Sequence, residues 1–206
     1  MARVPLSKSQ LSREKESLAA YGRYLPALDL KRQQLMAARA EARREIATID
    51  ARIAEAIRAT GVAIPMLADR QVGLDGLVRL GEVRRGLRNV AGVRLPVVEH
   101  VETIRAPYGR MVRPHWVDAV ADRLVEAIAL KVEARLARER LELLEAAVVR
   151  ITQRVNLFEK VLIPQARENI RRINVHLGDT ERAAVVRSKI AKRKRAMETE
   201  AAESAA

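Results

Sequence analysis

The chain has no cysteine. That excludes disulfides, thiolate-ligated zinc and thiol nucleophiles, and it suits a reducing compartment. Aromatics are almost as scarce, comprising Tyr21, Tyr24, Tyr108, Trp116 and Phe158. The apolar fraction is still 49%, carried mostly by Ala, Leu, Val and Ile, so the core must be thin, like a seam between helices, and not a thick globular interior. No stretch approaches the roughly 18 uncharged apolar residues of a membrane span, and the opening MARVPLSKSQLSREKES lacks the apolar core of a signal peptide. The expectation is a soluble, cytoplasmic protein. His100, His115 and His176 are far apart and form no metal-binding pair, and no Walker loop, nucleophile elbow or Gly-rich phosphate fingerprint occurs. These absences point away from catalysis, from a bound metal or cofactor, and from direct nucleotide binding.

What is abundant is positive charge and a seven-residue rhythm. A formal charge of +13 favours anionic partners, whether nucleic acid, lipid headgroups or an acidic protein surface. In RSKIAKRKR, residues 187–195, six of nine residues are basic. A basic helix end also complements the helix dipole, and no aromatic stacking residues are interleaved with it, so direct nucleic-acid binding is not favoured.

Ser7 and Gln10 are spaced as a capping box for a first helix. From Leu11, alternating steps of three and four reach Glu14, Leu18, Tyr21, Leu25, Leu28, Arg32, Leu35, Arg39, Ala42, Ile46, Ile49, Ile53 and Ala56, and eleven of these fourteen positions are apolar. Such a run marks a coiled-coil seam. Residues 61–114 hold seven of the nine glycines and four of the seven prolines and break the rhythm. There, MLADRQVGLDGLVRL suggests a short helix or two, and GVRLPVVEHVETIRAPYGRM a small strand pair with an edge-type proline and a Gly-containing turn.

A second long helix is expected from RPHWVDAV toward Arg195. Its seam, Leu141, Leu144, Val148, Ile151, Val155, Phe158 and Leu162, resumes after one extra four-residue step at Ala166, Ile170, Ile173 and Leu177. That step predicts local unwinding around Pro164. Helices on the order of 70 Å and 110 Å exceed any compact domain of this size. The predicted fold class is all-α dominated: a long antiparallel two-helix coiled coil with a small middle module of short helix and β-hairpin. The expected divisions are an N-terminal coiled-coil helix over 7–58, the middle module over 59–114, a C-terminal coiled-coil helix over 115–195, and a frayed polar tail over 196–206.

Three stretches of this sequence carry a family resemblance. RVNLFEKVLIP is similar, at Arg154, Val155, Asn156, Glu159, Ile163 and Pro164, to the C-terminal helix signature of the D subunit, the central rotor shaft of V-type and A-type rotary ATPases and ATP synthases. NVAGVRLPVVEH resembles the stretch after that family's middle helix at Asn89, Val90, Gly92, Val93, Leu95, Pro96 and Glu99. LDLKRQQL keeps Lys31 and Arg32 but has Gln33 where the family pattern expects an acidic residue.

The resemblance implies a non-catalytic central stalk. It would transmit torque between the hexamer of A and B subunits and the membrane rotor ring, through a funnel-shaped membrane-ring adaptor and with the F subunit on its side. It further implies a location at the inner membrane face without direct membrane insertion, and coupling of ATP hydrolysis or synthesis to proton or sodium transport. The structural and coupling positions it singles out are Lys31, Arg32, Asn89, Gly92, Pro96, Arg154, Asn156, Glu159 and Pro164. The rival reading is a basic coiled-coil adaptor or nucleic-acid-binding protein.

Two residues besides Gln33 depart from the family pattern. Pro26 predicts a bend or break in the first helix, and Gly178 a break in the second, with Asp179 or Thr180 recapping it. Pro164 is expected to face away from the seam, to leave the Lys160 carbonyl without its helical donor, and to curve the helix toward its partner. Arg32 is expected to meet a carboxylate of the C-terminal helix, with Glu159 as the candidate.

Overall fold

The computed structural model describes residues 5–68, 72–109 and 113–203. Helix α1 runs from Lys8 to Ala63, a 3-10 turn from Pro65 to Ala68, strand β1 from Val78 to Val90 and strand β2 from Val93 to Arg105. Helix α2 spans Trp116–Leu157, a π-helical turn Phe158–Leu162, and helix α3 Ile163–Glu203. Two compact units result, one of Leu30–Thr152 and one of Met1–Asp29 with Gln153–Ala206.

Within the Leu30–Thr152 unit, α1 and α2 lie antiparallel. Arg43 pairs with Glu145, Asp50 with Arg138 and Arg52 with Glu133, so partners on α2 fall in number as those on α1 rise. The seam between them buries Leu35, Ala42, Ile49, Leu130, Ala134, Ala137 and Leu144. Ile49 packs on Ala134 and Ala137, flanked by Ile46 and Ile53. Small alanines opposite isoleucine let the helices approach closely, which is how a chain poor in aromatics closes a core.

The helices end for local reasons. Pro65 disfavours an α conformation at Ile64 and cannot continue α1. Ile64 then turns inward with Leu77, Trp116, Val117 and Val120 to form a second small core. At the start of α1 the Ser7 hydroxyl accepts from the Gln10 amide at 3.3 Å, as expected of an N-cap. The Gln10 side chain, however, turns to Glu14 at 3.0 Å and does not complete the box.

The hairpin lies earlier in the chain than the valine-rich stretch alone suggests. VRLGEVRRGLRNV, in part assigned to a short helix, is β1, and the turn is Ala91–Gly92, not the APYG segment. Both turn residues have positive φ, 49° and 82°, the mirror-image turn whose twist matches that of the strands it joins. Val90 faces Val93 across the turn and Leu87 faces Pro96. Counting the alternation outward from the turn puts Pro96 at a non-hydrogen-bonded position, where its missing N–H costs no rung of the ladder. The only helical piece seen before β1 among the described residues that follow α1 is the 3-10 turn.

In the second unit, α1 and α3 are again antiparallel: Lys8 pairs with Glu181, Glu14 with Asn169, and Tyr21 with Phe158. Val155, Ala166 and Ile173 are buried. Neither expected break occurs. Pro26 lies inside continuous α1. It is exposed, and Gly22, four residues before it, has open space around it, which lets that turn relax while Leu25 and Leu28 stay in the seam. Gly178 likewise lies inside α3. Its cost of about 1 kcal/mol relative to Ala is small beside a packed helix, and the Thr180 hydroxyl donates back to the His176 carbonyl at 2.8 Å instead of capping a new helix.

Candidate functional site: the hairpin turn and the helix around Pro164

The singled-out positions fall into two groups. In the Leu30–Thr152 unit, the Asn89 side chain accepts from the Gly92 amide at 2.9 Å, tying the turn across its own backbone. The Lys31 ammonium of α1 sits over the turn, where a Cβ at Gly92 would come within 3.2 Å of Nζ. Lys31, Asn89 and Gly92 therefore form one cluster. Pro96 is buried, and Val90, Leu95 and Val97 line a small cleft with Ala42 and Leu144 of the helices. Glu45 and Arg140 line the same cleft and pair at 2.8 Å. Arg32 is half-buried in the α1 seam of this unit, while Glu159 belongs to the other unit.

The second group surrounds the π-turn. Arg154 lies in the last turn of α2 and Asn156 is half-buried beside it. Glu159 lies within the π-turn and Pro164 is the second residue of α3; both are placed at the surface side of the seam, Glu159 exposed. The Ile163 amide donates to the Phe158 carbonyl, five residues back instead of four. The Glu159 carbonyl thereby loses its α-type donor, and continuing the five-residue pattern would require the amide of Pro164, which does not exist. Pro164 has no amide to give the Lys160 carbonyl its α-type bond, as expected, and the shift of the Ile163 amide to Phe158 takes the α-type donor from Glu159 as well.

The seam accounts for the turn. A strict heptad after Leu162 would next bury Gln165, Asn169, Arg172 and His176; Ala166, Ile170, Ile173 and Leu177 face inward instead. One residue has been added, and a wider turn absorbs one residue while leaving the seam in phase on both sides. Pro164 gains too, because the widened turn relieves the clash between its ring and the preceding carbonyls.

Sequence reasoning missed the edge-to-face pair of Tyr21 and Phe158, with centroids 5.4 Å apart, although both stand on the seam. It also missed an open apolar groove of about 320 Å³ in the Leu30–Thr152 unit, lined by Ile53, Ile57, Leu67, Leu124 and Leu130. Among the described residues no group of three or more His, Cys, Asp or Glu could hold a metal ion, and no helix is long and apolar enough to cross a membrane.

The family model for the D subunit of ATP synthase matches residues 10–193. The chain belongs to the ATP synthase D-subunit family. Relatives in this family are alike along their whole length. The V-type ATP synthase D subunit of Borreliella burgdorferi is 33% identical over 194 residues, covering 93% of this chain and 95% of the relative. That of Chlamydia pneumoniae is 32% identical over 196 residues, covering 93% and 92%. That of Chlamydia felis is 33% identical over 198 residues, covering 94% of each. All nine singled-out positions lie inside the span that matches the D-subunit family.

Proposed function

We propose that this chain is the central rotor shaft of a V/A-type ion-translocating ATPase or ATP synthase. It carries torque between the A/B hexamer and the membrane rotor ring and is itself non-catalytic. The observation that carries the reading is the D-subunit match over residues 10–193, laid on antiparallel helix pairs that each close on an apolar seam. Such pairs supply stiffness and an asymmetric surface, and an asymmetric shaft biases three otherwise equivalent catalytic interfaces in turn. The net charge of +13 supports long-range attraction to an acidic collar that does not fix one angle. The apolar groove, with the exposed Ile57 in its lining, gives the membrane-ring adaptor or the F subunit an apolar surface to bury. The complex would hold the chain on the inner face of the membrane.

Co-purification with coupled transport tests this. A tagged chain should bring down A and B subunits, and omitting it from a reconstituted complex should abolish ATP-driven ion transport. Transport that stays equally coupled without it would sink the reading.

The second reading, a basic nucleic-acid-binding adaptor, draws on the exposed run of Arg187, Lys189, Lys192, Arg193, Lys194 and Arg195 on α3. A steep salt-dependent shift of labelled duplex, lost on removing residues 187–206, would favour it.

A further inference from the structure

We propose that the π-turn Phe158–Leu162 is a torsionally soft joint in the helix, pinned at one place by the sequence on both sides. Twisting a helix strains its ladder of backbone hydrogen bonds, and here one rung is missing. The Ile163 amide goes to Phe158, and the next donor that could reach the Glu159 carbonyl would be Pro164. Helix twist is therefore taken up first at this turn.

Such a turn could in principle pass along the helix, since moving it by one residue exchanges one hydrogen bond for another. Moving it toward the N-terminus would rotate Asn156 and Glu159 into the seam in place of Val155, which is 0% exposed, and Phe158, which packs on Tyr21. Moving it toward the C-terminus would bring Gln165, Asn169 and Arg172 inward in place of Ala166, Ile170 and Ile173. It would also require a donor from Pro164. Burying a carboxylate or a guanidinium without a partner is strongly disfavoured, so the joint yields without wandering. In a complex that turns this helix, which rests on the reading above, the joint would take up twist elastically and return to the same phase.

Native-state hydrogen exchange on the purified full-length chain tests the joint without any partner. Amides of residues 162–167, Pro164 aside, should exchange about tenfold faster than amides of matched burial two turns to either side, the effect of about one lost hydrogen bond. A variant lacking Lys160 and carrying Pro164→Ala should form an unbroken α-helix with the same seam and lose that excess. No local excess in the unaltered chain overturns the proposal. So does a variant that is helical by circular dichroism yet keeps the excess. Should the variant not fold, the exchange pattern of the unaltered chain still decides.

Discussion

Tyr21 of α1 meets Phe158, the first residue of the π-turn, edge to face, with ring planes at 85°. Two of the five aromatics in the chain are thus spent on one seam layer, at the turn where the Ile163 amide reaches back five residues instead of four. The pair holds the N-terminal side of that turn against the neighbouring helix.

Removing either ring should destabilise the fold by roughly 2 to 4 kcal/mol, somewhat less than a fully buried Phe→Ala because both side chains are only half-buried. A double-mutant cycle of Tyr21→Ala and Phe158→Ala should show a coupling of about 0.5 to 1.5 kcal/mol by thermal or denaturant unfolding. Simple additivity would mean that the ring contact adds nothing beyond area.

Pro164→Ala should raise stability by about 1 kcal/mol or less. The usual interior cost of proline, about 3 kcal/mol, is already partly relieved by the widened turn. The π-turn itself should persist in a crystal structure of the variant, because the extra residue remains in the seam count. A straight α-helix after this single substitution would show that proline, not residue number, sets the turn.

In the hairpin, Gly92→Ala should cost about 1 to 2 kcal/mol, since φ of 82° is strained for any L side chain and the new Cβ would crowd Lys31. Asn89→Ala should cost roughly 0.5 to 1.5 kcal/mol through the lost bond to the Gly92 amide. Denaturant melts should record both losses, with faster exchange confined to residues near the turn.

Among the inter-helix ion pairs of the Leu30–Thr152 unit, Glu45→Gln should cost more than Glu145→Gln. The Arg140 side chain is only 18% exposed, while Arg43, the partner of Glu145, is 56% exposed. Water screens the second pair, leaving at most about 0.5 kcal/mol, whereas the first should lose about 1 kcal/mol or more. Raising the salt concentration should shrink the effect at Glu145 and largely spare that at Glu45.

Periodicity makes the seam legible in the sequence. All fourteen three-four positions from Leu11 to Ala56, Arg32 and Arg39 included, are buried or half-buried, as are those from Leu141 to Leu177. The hairpin is legible in kind but not in place. β1 holds Gly81, Gly86 and four arginines, with little intrinsic strand preference, and extends only because valine-rich β2 pairs with it. In the candidate site, the signature residues Asn89 and Gly92 are visible, but nothing local brings Lys31 to them. That contact joins residues far apart in the chain and leaves no periodic or motif signal.

The sequence by itself determined which residues face the seam, because a period of seven over many turns leaves a helix only one apolar stripe. It also determined that one residue too many lies between Leu162 and Ala166. How that residue is absorbed was decided by tertiary structure: packing on both sides fixes the phase, so a single wide turn at Phe158–Leu162 takes up the surplus. Packing likewise carried the helices through Pro26 and Gly178, where local preference alone would have stopped them, since each seam layer returns about as much as such a residue costs.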